Sequence, residues 1–122
     1  MPEENEFMPV MMKLLERTMA GRVEWKGTFE STTFICSLQG EYSFEIVARV
    51  DLGGDPLSYR LTMTDKNQQA VFIVDACTPS GDTSSENDRL YEVLAALYER
   101  ARRAALDVDK KVKDVADILD RL

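Results

Sequence analysis

The sequence predicts an α+β fold in two layers: a short amino-terminal helix, a four-stranded antiparallel meander sheet, and a long carboxyl-terminal helix, continuous or kinked, packed across the sheet. Three observations carry this expectation. Apolar residues near the amino terminus recur at helical spacing, those between residues 33 and 77 alternate with period two, and residues 82–122 contain neither Gly nor Pro. At 122 residues the chain has room for a single domain spanning residues 1–122.

Residues 1–6 read as a flexible acidic leader. In "MPVMMKLLERTMAG" the residues Val10, Met11, Leu14, Leu15 and Met19 fall at helical spacing, Pro9 suits a first helical position and Gly21 a terminating one. Its methionines fit core filling, with an adaptable binding groove as the alternative, because thioethers repack around varied partners.

Alternation follows. Phe34, Cys36 and Leu38 share one face, as do Phe44, Ile46, Ala48 and Val50, with "QGE" as the hairpin between them. Leu57, Tyr59, Leu61 and Met63 alternate with Ser58, Arg60, Thr62 and Thr64; after the turn "DKNQ" comes "AVFIVDAC", apolar on both faces and therefore expected to be the more deeply buried strand. The earlier "RVEWKGTFE" could add a short strand, with Trp25 packing over the sheet edge. Cys36 and Cys77 read as buried strand thiols of a reducing compartment.

Thr83 or Ser85 can cap the last helix, and Thr83 with Glu86 matches the reciprocal capping pattern. Leu90, Leu94, Leu97, Ala101, Ala104 and Val108 then step by four and three, and Val112, Val115, Leu119 and Leu122 resume the pattern after one extra step of four. In "LDVD", Asp107 could start a new segment, but Glu99 with Arg103, Arg103 with Asp107, Asp107 with Lys111 and Asp109 with Lys113 are opposite charges four apart, which favours continuity. An unbroken helix from residue 87 would extend about 54 Å, beyond a body roughly 35 Å across. The tail, residues 107–122, would then overhang and expose Val112, Val115, Ile118, Leu119 and Leu122 as an apolar stripe. Such a stripe implies a homo-oligomer, a dimer being the simplest. A break near Asp107 would instead let the tail fold back over its own sheet as a compact monomer.

The net charge of −7 is unevenly spread. Residues 1–98 hold 16 acids against 8 bases, whereas residues 99–113 hold 3 acids against 6 bases. An acidic body argues against nucleic acid as a partner. No apolar run approaches the roughly 20 residues a membrane helix needs, and an acidic amino terminus is unlike a secretory signal, so the expected compartment is the cytoplasm. The basic stretch containing Arg102 and Arg103 reads as a solvated helix face, or as a surface for an acidic partner.

Histidine is absent, which removes imidazole nucleophile systems and imidazole metal ligands. There is no CxxC spacing and no phosphate-cradling glycine loop. Asp51 and Asp55 flank two glycines in what reads as a hairpin turn, short of the ligand count of a calcium loop. Asp75 interrupts an apolar strand, and it reads either as an acid paired with a base or as a perturbed carboxylate in a pocket. No catalytic, cofactor or metal residues are therefore expected. The expectation is a nonenzymatic protein-interaction module that uses its tail and sheet face. The order helix, meander, helix is similar to that of small acidic modules such as secretion chaperones and immunity proteins, and an acidic inhibitor of a basic client is the alternative.

Overall fold

The structure, a computed structural model, describes residues 2–77 and 85–122. The capping roles expected of Thr83, Ser85 and Glu86 lie outside the described side chains. Along the chain run α1 (Pro2–Met19), β1 (Lys26–Gly27), β2 (Thr33–Leu38), β3 (Tyr42–Val50), β4 (Pro56–Asp65), β5 (Ala70–Cys77), α2 (Ser85–Leu106) and α3 (Val108–Asp120). The sheet is a purely antiparallel meander in the order β1-β2-β3-β4-β5, five strands rather than four, because the two-residue β1 pairs Lys26 with Ile35 and Gly27 with Phe34.

Turn chemistry sets the meander. Between β2 and β3, Gln39 and Gly40 both have positive φ and the Glu41 N–H donates to the Leu38 carbonyl, the backbone a type I′ turn demands. The next two hairpins share another device. Asp51 Oδ1 accepts the amides of Gly53 and Asp55, Asp65 Oδ1 accepts those of Asn67 and Gln69, and a left-handed residue, Gly54 or Gln68, closes each loop.

α1 begins at Pro2 rather than at Pro9, so the residues expected as a flexible leader form its first turns. Pro9 leaves one amide out of the helical ladder, yet the amino-terminal half stays against the sheet through Phe7, whose ring stacks on Phe72 with centroids 4.2 Å apart. At the other end Gly21 is left-handed, the Arg22 amide donates to the Arg17 carbonyl and the Gly21 amide to that of Thr18, which is a Schellman stop. Thr18 Oγ1 donates to the Leu14 carbonyl at 2.7 Å and accepts Trp25 Nε1–H at 3.0 Å, tying α1 to the strand that opens the sheet.

Cross-strand register stacks the inner face into rows. Ala48, Tyr59 and Ala76 form one; Phe34, Ile46, Leu61 and Val74 the next; Cys36, Phe44, Met63 and Phe72 a third; Leu38 and Tyr42, beside Asp65, the last. α2 covers the first two through Leu90, Leu94, Leu97 and Ala101, all essentially inaccessible, with Tyr98 edge-on to Phe34 at 5.6 Å and Tyr91 and Tyr98 each 5.3 Å from Tyr59. α1 lies beside α2 over the third row.

Three expectations need correction. β5, expected to be the more deeply buried strand, is an edge strand: it buries Phe72, Val74 and Ala76 but leaves Val71 and Ile73 about half exposed, since among the described residues no helix covers the sheet's other face. Cys77, at its end, is exposed, whereas Cys36 is buried. The carboxyl-terminal helix, expected to run on, continuous or kinked, is broken at Asp107, whose backbone is left-handed (φ 54°, ψ 45°). Asp tolerates that conformation better than most residues, and a left-handed residue is the usual way to end a helix.

Candidate functional site

The break creates an elbow. The Asp107 amide reaches back to the Ala104 carbonyl at 3.3 Å, and the Asp107 carbonyl accepts the Lys111 amide at 3.1 Å, so α3 restarts one residue after α2 stops. Asp107 occupies the capping position without a side-chain cap. Arg103 bridges the two helices: its guanidinium lies 3.9 Å from Glu99 on α2 and bonds Asp109 on α3. Arg102 also turns to Glu99, at 3.4 Å. Both arginines expected as an interaction patch are thus engaged within the chain, and the expected pairing of Arg103 with Asp107 is replaced by pairing with Asp109 because the left-handed residue swings α3 away from the continuous-helix geometry.

α3 meets α2 and buries none of its own residues. Its apolar stripe stands open, with Val112 62%, Val115 55%, Ile118 50%, Leu119 62% and Leu122 93% exposed. Here the elbow adds what a straight helix lacks, an apolar notch of about 430 Å³ between Leu106 and the residues Val108, Val112 and Val115, with Lys111 at its border. The tail therefore breaks at Asp107 without folding back over the sheet.

Asp75 sits on the uncovered face of β5, where its Oδ1 accepts Arg60 Nε–H at 2.8 Å across the β4–β5 pair; both side chains are more than half exposed, and the carboxylate raises the Arg60 pKa. Asp51 spends its carboxylate within its own turn. Among the described residues no cluster of three or more His, Cys, Asp or Glu side chains could hold a metal, and no helix is long and apolar enough to cross a membrane. Burial pushes the Cys36 thiol from 9.0 up to about 12, against the opposing pull of its hydrogen bond with the Phe44 backbone, so it is a packed, inert group.

Two further surfaces, the sheet face and a groove beside the first helix, take on lining residues that the sequence did not single out. The uncovered sheet face forms a shallow concavity of about 460 Å³, whose lining includes Glu24, Lys26, Glu45 and Asp65. On the helix side, a groove of about 310 Å³ runs along α1 beside the last inner row, with Lys13 and Arg17 above Val10, Leu14, Leu38 and Tyr42. The signal for the second was present: Val10, Lys13, Leu14 and Arg17 follow a spacing of three, one and three, so bases and apolar residues share one helical line. No family model matches the chain, and no curated protein or solved structure matches it either.

Proposed function

We propose that the protein is a nonenzymatic protein-interaction module that associates as a homodimer through α3. One observation carries this reading: a helix with four large apolar side chains at least half exposed, a fifth (Leu122) just past its end, and none of its own residues buried. Full burial of each would contribute about 1.5–3 kcal/mol, against an association cost of about 4–15 kcal/mol. These magnitudes suit a reversible dimer populated according to concentration. The reading places the module in the cytoplasm, in keeping with two cysteines that form no disulfide. Light scattering on the full chain and on a chain ending at Leu106 tests it, because the body keeps its own core without α3. The full chain is expected to gain mass with concentration and the shortened chain to stay monomeric; identical monomers would contradict the reading.

A second reading is an acidic chaperone or immunity-type inhibitor of a basic client protein. It is favoured by Glu24 and Glu45, which line the concavity on the uncovered sheet face, and by the net charge of −7. Binding to a basic protein that weakens steeply with salt and survives loss of α3 would support it. Salt-independent binding would argue against it.

A further inference from the structure

α2 and α3 carry one apolar pattern cut in two, and the cut changes which way the second half faces. Val115 comes 18 residues after Leu97, about five whole turns, so an unbroken helix would point the α3 stripe to the same side as the buried line of α2. Leu106 comes nine residues after Leu97, about two and a half turns, and so points the opposite way, out of the body, where it is 39% exposed. The elbow joins these opposite sides: Leu106 lines one apolar notch with Val108, Val112 and Val115. The stripe is thereby turned from the side of the chain's own sheet to the outer side of α2, where a second molecule can reach it.

The stripe contains one charge, which decides the direction of a partner. Lys111 lies within it, four residues before Val115, and lines the notch. In a parallel two-fold pair each residue meets its own copy at the same height, so two ammonium groups would share one layer of an apolar contact, at a desolvation cost. In an antiparallel pair with Val115 on the two-fold axis, the two lysines stand eight residues, about 12 Å, apart along the helices, beyond the screening length of roughly 10 Å in 0.1 M salt. Each Lys111 then lies over the partner's Leu119, its methylene stem on the leucine and its ammonium in water. The same register sets Val112 between the partner's Ile118 and the partner's Leu119, and it brings the partner's Leu122 opposite Val108, beside the notch that Leu106 opens. Asp114 nears its own copy on the flank, outside the apolar contact, with Lys111 one turn away on each helix.

We infer that the α3 stripe is covered by the α3 stripe of a second copy of this chain, running antiparallel about Val115, with Leu122 of each chain seated in the elbow notch of the other. The contact is self-complementary and closes at two chains. This pairing rests on α3 being the association surface and adds what covers it and in which direction.

Disulfide trapping in a Cys77→Ser background tests the direction. One full-length chain carries Val112→Cys and another Leu119→Cys, both on a helix that buries none of its own residues; the two are mixed, oxidised and resolved without reductant. Antiparallel pairing sets these positions side by side and holds each about 9–12 Å along the axis from its own copy, too far for a disulfide, whose Cα atoms lie within about 7 Å. A cross-linked Val112→Cys/Leu119→Cys heterodimer is expected as the main product, with little cross-linking in either chain alone. Each variant linking chiefly to itself would mean parallel tails, and would overturn the direction while sparing α3 as the association surface. Dimers by light scattering that never cross-link at these positions would overturn the pairing of tail with tail. Monomers throughout would overturn the pairing and the association surface together. Leu106→Ser gives an independent readout: it is expected to weaken the dimer about tenfold with thermal unfolding of the dilute monomer nearly unchanged, and an undiminished dimer would overturn the notch contact.

Discussion

α2 and α3 are consecutive helices with the same apolar periodicity, and they meet opposite fates. α2 buries Leu90, Leu94, Leu97 and Ala101 to within 2% of complete, whereas every apolar side chain of the α3 stripe from Val112 onward is at least half exposed. Periodicity specifies that a helix will have an apolar side; it does not specify a surface for that side to meet. α2 lies over two complete rows of the sheet, and α3 starts only after α2 has run past them. One residue, Asp107, marks the change from a helix held by its own subunit to one that is not.

The largest effect is expected from matched truncations in the two helices. Leu94→Ala should cost about 2–5 kcal/mol of unfolding free energy in urea, the range for a fully buried leucine. Val115→Ala, measured on dilute monomer, should stay within about 0.5 kcal/mol. Equal losses would erase the distinction between the helices.

Next in size is the tie between α1 and the sheet. Thr18→Val keeps the shape but leaves the buried Trp25 Nε1–H without its acceptor, an expected cost of about 1–3 kcal/mol in thermal unfolding. The same measurement with Thr28→Val, whose hydroxyl bonds Glu30 in an exposed loop and the Thr33 carbonyl in a part-buried one, should show a smaller change.

The elbow sharpens the comparison further. A left-handed backbone costs an ordinary residue about 1–2 kcal/mol, so Asp107→Ala should favour one continuous helix and Asp107→Gly should keep the bend. Spin labels at Glu92 and Asp117 should move apart in the Ala variant and hold their separation in the Gly variant. An unchanged distance in both would show that the Glu99–Arg103–Asp109 bridge, rather than Asp107, sets the angle.

The smallest effect at neutral pH is alkaline. Cys36 and Tyr59 are each raised to about 12, by burial first, and for Tyr59 by the neighbouring Tyr91 next. Raised values mean that the folded body prefers both groups protonated. Their stabilisation is whole below the ordinary values of 9.0 and 10.0, and it is lost as pH rises toward 12. Near-ultraviolet dichroism of the body should therefore fade across that window, and Tyr59→Phe should shift the loss upward.

Much of the fold was legible because local chemistry repeats itself. The alternation of Phe44, Ile46 and Ala48, the Asp51 and Asp65 turns and the step pattern from Leu90 to Ala101 each point one way. What was not legible depends on what lies alongside. "AVFIV" reads as a doubly buried strand, yet its place at the sheet edge follows because, among the described residues, no further strand and no second layer lie against it, which its own residues do not encode. The elbow was named at the right residue and then outweighed by four charge pairs, each worth about 0.2–0.5 kcal/mol. Arg103 chose Asp109 instead. The groove was hidden because Val10 and Leu14 read as core, and only the sheet register shows a row left uncovered beside them.

Hydrogen exchange followed over a range of protein concentrations tests the central claim most directly, because it reads α2 and α3 in the same molecules. Amides of Leu90–Ala101 should be protected equally at every dilution, while those of Val112–Leu119 should exchange quickly when dilute and become protected as concentration rises. Protection of Val112–Leu119 that is already complete at the lowest concentration would mean the tail finds cover within its own chain, and would contradict the account.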